Sequence, residues 1–520
     1  MYSELSLADI VRENRRGRGD MVALVDGDER ITYAEFDERT DRLANALTSE
    51  GVLPGDRVLW IGANSHRVFE LLIAAGKVGA ILCPANWRQS ADELRFVIDD
   101  LQPTLIVSEP KIVGDLHDSL GDDRIPWVRC SDDSDDEFQR WSASFPSTPA
   151  PSSESIHAED PVLLLYTAAF DGRPNGALIS HRALISHSLV VAVQRQITEG
   201  FVFLDSGPLF HIGTWMFAVA TFVCGGTNVV LPQFEPRQAC ELIERERCQG
   251  AMLFPAMIDQ LVAANGDDRY DLSSLHFGPA GSTWNHMITL DRSPWGRSNA
   301  GYGQTEVGGM LTYHALGING LGTHGRSSPL MQVRILDTNG RDVSAGDVGE
   351  IATRGMHLFN GYFNRPDLNA ARFRDGWYHT GDLGRRESDG TVSFVGPKLR
   401  MIKSGGENIY PAEVERALLG HPDVDSAAVI GRPDSTWGQS VVAIVVRNAS
   451  ASVTEQELIA HVRDQVASYK KPKSVVFVEA IPRRGFVPDY DLLDLQHGGG
   501  GYPGSDPTPV TTAATSEMTR

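Results

Sequence analysis

The sequence predicts an α/β protein: a large, multi-subdomain N-terminal domain with mainly parallel sheets and a small β-unit, followed by a small α/β C-terminal cap. Three observations predict it. Helical and strand patterns alternate through the first half, as in folds built on parallel sheets. Near Val333 the texture changes to short strands split by Asn-Gly and Gly-Asp turns. After Gly396 a compact stretch again alternates helix and strand. The length of 520 residues exceeds one compact domain.

Taken in order, "ITYAEFDERTDRLANALTSEG" has apolar residues at helical spacing and closes on Gly51 as a helix cap. "DRVLWIG" is a short buried strand, and "SHRVFELLIAAGKVGA" is a second helix. The acidic "CSDDSDDEF" and the Pro/Ser-rich "PSTPAPSSES" are solvated connections. "VRILDTNGRDVSAGDVGEIATRG" is the small β-unit. Beyond it, "PAEVERALLG" is a helix, "VDSAAVIGR" and "QSVVAIVVRN" are strands, and "TEQELIAHVRDQV" is a capped helix. These textures divide the chain into residues 1–398, a cap at 399–490, and a tail at 491–520 with too little apolar matter to fold, expected to be disordered.

The net charge of −21 argues against a nucleic-acid partner. The one basic cluster, Tyr469 to Lys473, reads as a solvated loop. Cys83, Cys130, Cys224, Cys240 and Cys248 show no metal spacing and read as free thiols in a reducing cytoplasm. The first turns carry Glu4, Asp9 and Glu13, so no signal-peptide core is expected. The most apolar stretch, Trp215 to Leu231, is interrupted by Gly225, Gly226 and Asn228; it reads as a buried helix entering a strand rather than a membrane span. A soluble, cytoplasmic protein is expected.

"LLYTAAFDGRPNGALISH" has the outline of a phosphate-binding loop: a strand ending at Tyr166, a Gly-bearing turn, then apolar Ala177, Leu178 and Ile179. Such loops cradle phosphate with backbone N–H groups, hydroxyls and a Lys. Here Thr167 is the loop's only hydroxyl, and Asn175 stands where a Lys would be useful.

"GYGQTE" (Gly301 to Glu306), "GWYHTGDLG" (Gly376 to Gly384) and "MIKSGGENIYPAEVE" (Met401 to Glu415) resemble motifs of the adenylate-forming family, in that family's order and spacing. That family holds acyl-CoA ligases, luciferases and peptide-synthetase adenylation domains. "PLFHIGT" (Pro208 to Thr214) and "SYKKPKSVVFVEAIPR" (Ser468 to Arg483) extend the likeness over nearly the whole chain to about Arg483. "SGGENIYPAEVE" most resembles the fatty and aromatic acid–CoA ligases.

The resemblance implies a mobile cap hinged near Leu399 and Arg400, and two chemical steps. A carboxylate attacks the α-phosphate of MgATP to give an acyl-adenylate and pyrophosphate; the cap then rotates, and a thiol, usually CoA, displaces AMP. By the same resemblance, Glu306 holds Mg²⁺, Thr305 bonds the α-phosphate, and Tyr302 offers a face to adenine, with Gly303 and Gln304 beside it. Asp382 takes the ribose hydroxyls; Gly278, Ala280 and Gly281 let backbone approach the base; His211 stands beside the carboxylate. Thr167 belongs to the phosphate loop, and Lys403, Gly405 and Gly406 to the thiol-transfer segment. Met216 and the run Val307 to Met310 are expected to line the acyl pocket; Trp215 is expected either at that wall, where it would shorten the pocket, or as a plain core residue. The implied small molecules are ATP or AMP, Mg²⁺, a carboxylic acid or its adenylate, and CoA or another thiol.

Departures from the family concentrate on adenylation. Its phosphate loop reads roughly TSGTTGxPKG, against Thr167 to Gly176 here; hydroxyls, a glycine and the Lys are gone, and Asp171 is added. An acid 4 Å from a phosphate charge costs about 4 kcal/mol at an effective dielectric of 20. Pro488 occupies the position of the family's cap lysine, Pro397 that of a ribose-contacting Arg, and Arg400 that of a hinge Asp or Lys. Three readings stay open: a working acid–thiol ligase with weak adenylation, a partial enzyme that transfers a pre-formed acyl-adenylate, and an inactive binding or regulatory homologue.

Overall fold

Strands that are apolar on both faces must be covered on both faces, and this dictates the parallel sheets of the N-terminal unit. Arg57–Ile61, Ile81–Pro84 and Leu105–Ser108 are buried almost throughout. They pair in parallel inside a seven-stranded sheet, ordered Gly361–Tyr362, Asn175–Ser180, Pro161–Thr167, Ile81–Pro84, Arg57–Ile61, Leu105–Ser108, Trp127–Arg129. The computed structural model describes residues 5–114, 125–131, 136–149, 156–167, 174–298, 300–398, 400–448, 451–484 and 487–503. Much of the acidic and Pro/Ser-rich connections, the loop centre Ala168–Arg173, Leu399 and residues beyond 503 lie outside these. A five-stranded sheet runs Gly250–Ala251, Val202–Asp205, Thr227–Val230, Val22–Asp26, Glu29–Thr32, parallel except for the last pair.

The largest core cluster joins both sheets through helices. It takes Leu24 from the five-stranded sheet, Val58, Trp60 and Leu163 from the seven-stranded one, and Leu43, Phe69, Leu72 and Trp215 from helices. The helix Tyr33–Ser49 starts in a capping box between Thr32 and Glu35, and Gly51 follows its end at φ 82°. The helix His66–Val78 is buried along its whole length and carries Lys77, which is 0 % exposed. Burying an ammonium is tolerated only when it is paired. Lys77 Nζ lies 2.7 Å from Asp37 Oδ1 and 2.7 Å from Asp41 Oδ1, and it donates to Thr40 Oγ1 at 2.9 Å. The apolar stretch from Trp215 is a buried helix, Ile212–Val223, turning at Gly225 (φ 74°) into the strand Thr227–Val230. No helix among the described residues is long and apolar enough to cross a membrane. All five cysteines are free.

The small β-unit is a sheet in which Met331–Leu336 pairs antiparallel with Val348–Gly355, which neighbours Trp377–Arg386. The chain divides into two compact units, one of Met1–Thr167, Pro174–Thr380 and Gly384–Ser393, the other including Gly381–Leu383 and Phe394–Arg520. In the second, Val424–Asp434 and Gly438–Arg447 form a long antiparallel pair, flanked by Ile402–Ser404 and by Ser474–Phe477. The helices Pro411–Leu419 and Glu455–Gln465 pack their apolar faces (Val414, Leu418, Leu458, Val462) on one side of this sheet.

Two expectations about this unit are corrected. Lys470 is not solvated: it is buried and donates to Glu413 Oε1 at 2.6 Å. Residues 491–503 are not structureless either. Tyr490–His497 is a helix with Leu493 buried against Ile430 and Ile444, and Tyr490 donates to Glu415 Oε1 at 2.7 Å. Past it, the Tyr502 hydroxyl accepts the Gly431 amide at 2.8 Å and donates to Asp494 Oδ1 at 2.9 Å. A glycine-rich sequence carries little apolar matter, yet one Leu and two Tyr are enough to dock it on a sheet already formed. A chain ended after Asp489 is therefore expected to melt several degrees lower than one ended after Pro503 (scanning calorimetry). Equal melting temperatures would contradict the docking.

Candidate functional site

The strand Pro161–Thr167 and the strand Asn175–Ser180 form an antiparallel hairpin in which Thr167 faces Asn175. Thr167 Oγ1 donates to Asn175 O at 3.2 Å. Asn175 is 1 % exposed and its Oδ1 accepts from Arg365 Nε at 3.1 Å. Arg365 Nη2 pairs with Asp100 Oδ1 at 2.7 Å, and the Tyr166 hydroxyl donates to Asp100 Oδ2 at 2.9 Å. Burial, with Cys83 and Asp100 nearby, pushes the Tyr166 pKa up. The side chain at the position of the family's Lys thus carries no charge of its own and is held by the Arg365 guanidinium, whose charge is paired with Asp100.

The segment Gly301 to Met310 is a tight hairpin, with Gly303–Gln304 antiparallel to Gly309–Met310 and a 3₁₀ turn at Thr305–Val307 between them. Gly303 is required here, since a Cβ on it would stand 1.9 Å from the Gly309 carbonyl oxygen. Gly308 and Gly309 close the turn at φ 71° and 129°. Glu306 is 7 % exposed, and the Tyr362 hydroxyl donates to its Oε1 at 2.8 Å. The Tyr378 hydroxyl lies 3.1 Å from that of Tyr362, so two buried phenols hold the carboxylate in one orientation. Burial and the Glu306 charge raise both phenol pKa values. Gln304 Nε2 donates to Thr380 O at 3.2 Å. Tyr302 is buried, its amide donating to Thr312 Oγ1 at 3.0 Å.

Gly278 has a local reason to be glycine: a Cβ would meet the Gly296 carbonyl oxygen at 2.4 Å. Gly281 (φ 105°) begins the helix Ser282–Met287, and the Ala280 amide donates to Asn285 Oδ1 at 3.1 Å. His211 is exposed at the start of the helix Ile212–Val223, its ring 4.7 Å from that of Phe210. Asp382 is half-buried in the strand Trp377–Arg386. In the smaller unit, Ile402–Ser404 and Glu407–Ile409 are joined by the two-residue turn Gly405-Gly406, at φ 58° and 88°. Both glycines are demanded by this turn, because β-branched or bulky residues resist positive φ twice in succession. Lys403 Nζ donates to Asn408 Oδ1 at 2.6 Å across it. Pro488 lies on the short strand Val487–Pro488, paired with Arg483. Arg400 is paired with Asp494 and lies over the Tyr502 ring at 4.1 Å.

Of the two places expected for Trp215, the core is the one it takes. Its indole is buried in the main core, edge-on to Phe69 at 5.3 Å, and donates to Leu209 O at 2.5 Å. It turns away from Met216, which packs with Phe217, Trp295 and Tyr313 in a separate cluster joined by Met310. Tyr362 and Arg365, which position the predicted residues, had no motif around them to single them out; Tyr378 lies inside "GWYHTGDLG", where Asp382 alone was singled out.

The chain belongs to the AMP-binding enzyme family: that family's pattern matches residues 11–363, and the AMP-binding enzyme C-terminal domain matches residues 413–485. It is 34% identical over 469 residues to a feruloyl-CoA synthase of an Amycolatopsis species, covering 88% of this chain and 92% of that one. It is 33% identical to an indoleacetate–CoA ligase of Aromatoleum aromaticum, over 87% and 90% of the two chains. Among solved structures, the amide bond synthetase of Marinactinospora thermotolerans superimposes with a TM-score of 0.78 at 27% identity, covering 95% of this chain and 100% of that one.

Proposed function

We propose that this protein is an acid–thiol ligase that joins an aromatic carboxylic acid to CoA through an acyl-adenylate, and that its adenylation step is slow. The observation that carries the reading is Glu306: a buried carboxylate set by Tyr362 on the hairpin that also bears Tyr302 and Thr305. The named relatives, which handle ferulic and indoleacetic acids, support the aromatic class. Mg²⁺ fits this carboxylate, since it takes one or two protein carboxylates and completes its shell with phosphate oxygens and water. When bound, the ion spreads the phosphate charge.

The chain's own residues then have separate tasks. Tyr362 keeps the Glu306 carboxylate oriented. Thr305 donates to the α-phosphate, and Tyr302 packs on the base. Asp382 accepts the ribose hydroxyls, and His211 orients the attacking carboxylate. In the second step the thiol sulfur displaces AMP, and the hairpin around Lys403 to Gly406 serves the thiol. Asn175 and Pro488 favour a second reading, in which the protein accepts a pre-formed acyl-adenylate and catalyses only the transfer.

Incubation with MgATP, CoA and a set of aromatic acids tests the proposal. AMP and acyl-CoA should appear in equal amounts for at least one acid (liquid chromatography). Absence of acyl-CoA with every acid, together with no binding of aromatic acyl-adenylate mimics, would leave only the inactive-homologue reading.

A further inference from the structure

The segment Ser206 to His211 links the strand Val202–Asp205 to the helix Ile212–Val223. Its own main chain makes few of the bonds it needs: the Ser206 amide donates to Leu204 O at 2.9 Å, and the His211 amide to Pro208 O at 3.2 Å. Buried main-chain groups nearly always find partners, and here side chains supply them. Asn64 Nδ2 donates to Gly207 O at 2.8 Å, Leu231 O at 3.1 Å and Asp205 O at 3.3 Å, while Asn64 Oδ1 accepts the Leu209 amide at 2.9 Å. The Leu209 carbonyl accepts from Trp215 Nε1 at 2.5 Å. Both polar groups of Leu209 therefore end on side chains from outside the segment.

Both grips are rigid. Asn64 is 5 % exposed and lies between the buried strand Arg57–Ile61 and the helix His66–Val78, and its own amide donates to Pro232 O at 3.1 Å. Trp215 is locked in the main core. A carboxamide brings N–H donors and an acceptor together on one short side chain; a carboxylate has no donor, and an aliphatic chain has neither. The segment has no slack on its other face, since a Cβ on Gly207 would stand 2.5 Å from Thr214 Oγ1 and 3.0 Å from Met252 Cγ. Leu209 is thus fixed two residues before His211, which is exposed where the segment ends.

Resting on the ligase reading, in which His211 orients the attacking carboxylate, we propose that Asn64 and Trp215 are positioning residues for the reaction: they fix the Leu209 peptide and, through it, the place of His211. Neither touches a reactant. Their contribution reaches the acid only through the imidazole, and an error of about 1 Å in such a placement costs roughly a hundredfold. Side chains that merely held the fold together would weaken the use of acid and nucleotide alike.

The test is kcat/KM for a radiolabelled aromatic acid, measured on the full-length protein with saturating MgATP and CoA. Asn64→Leu keeps the size of the side chain and removes all four of its bonds. It should lower that constant at least roughly tenfold, with KM for MgATP unchanged to within about twofold. In a His211→Ala background the same change should cost less than about twofold more, because its route to the acid is already cut. Trp215→Phe, which loses only the bond to the Leu209 carbonyl, should give a drop of roughly threefold, and again no further drop in His211→Ala. It decides the matter if Asn64→Leu does not fold. A drop in His211→Ala as large as in the unaltered protein, an equal loss on the MgATP side, no drop in either variant, or full activity of His211→Ala overturns the positioning role but not the ligase reading. If the unaltered protein forms no acyl-CoA from any aromatic acid, the ligase reading falls and the positioning role with it.

Discussion

ATP-driven ligation by this protein is expected to run at least hundreds of times slower than by a relative with an intact phosphate loop and cap lysine. Two charge-stabilising groups are missing. At Asn175 the side chain is neutral, buried and bonded to Arg365, so it lends no charge to a departing pyrophosphate. At Pro488 the chain lies on a short hairpin strand with no donor at all. One well-placed donor of this sort is worth about 10²–10³ in rate. Nearby arginines are poor substitutes, since an error of about 1 Å in placement already costs roughly a hundredfold. Pyrophosphate release with a matched acid measures the effect, and turnover equal to that of the relative would contradict it.

The largest stability effect is expected at Lys77. Lys77→Met fills the same space with an apolar chain but leaves Asp41 buried without its cation; Asp37 retains Arg15 at 3.1 Å. Breaking a buried pair from one side costs about 3–5 kcal/mol. The deficit should depend on pH with a definite sign. Burial already raises the Asp41 pKa, against the pull of Lys77, and removing the ammonium raises it further. In the variant the folded state therefore holds a proton that the unfolded chain releases above its ordinary carboxylate range, so folding grows less favourable as pH rises from about 4. Urea denaturation at pH 4.5 and 7.5 should show the smaller difference between the two proteins at the lower pH. A pH-independent difference below about 1 kcal/mol would remove Asp41 from the account.

Much of this was legible in the chain because it is local. Fully apolar runs such as Val58 to Ile61 can only be covered strands, and paired glycines such as Gly405-Gly406 can only be tight turns with positive φ. What escaped is long-range. Lys470 reads as a solvated cation until Glu413, 57 residues away, is brought to 2.6 Å. The stretch from Asp491 reads as structureless because its stability comes from Ile430, Ile444 and Gly431 on another strand pair. Helical spacing places Trp215 and Met216 on one helix, but it does not tell which of two clusters each enters. Asn64 and Leu209 are 145 residues apart, and no motif joins them.

The central claim is that transfer chemistry is retained where adenylation chemistry is weakened. Its most direct test supplies a synthetic aromatic acyl-adenylate and CoA, without ATP, and follows acyl-CoA formation. The adenylate carries a single phosphate, so with the roles proposed for Tyr302, Thr305 and Asp382 the missing loop groups are not needed. Acyl-CoA should form well above the uncatalysed rate, and Glu306→Gln should slow it less than Asp382→Ala, since no pyrophosphate-bound metal takes part. Hydrolysis of the adenylate at its background rate, with no acyl-CoA formed, would contradict the account.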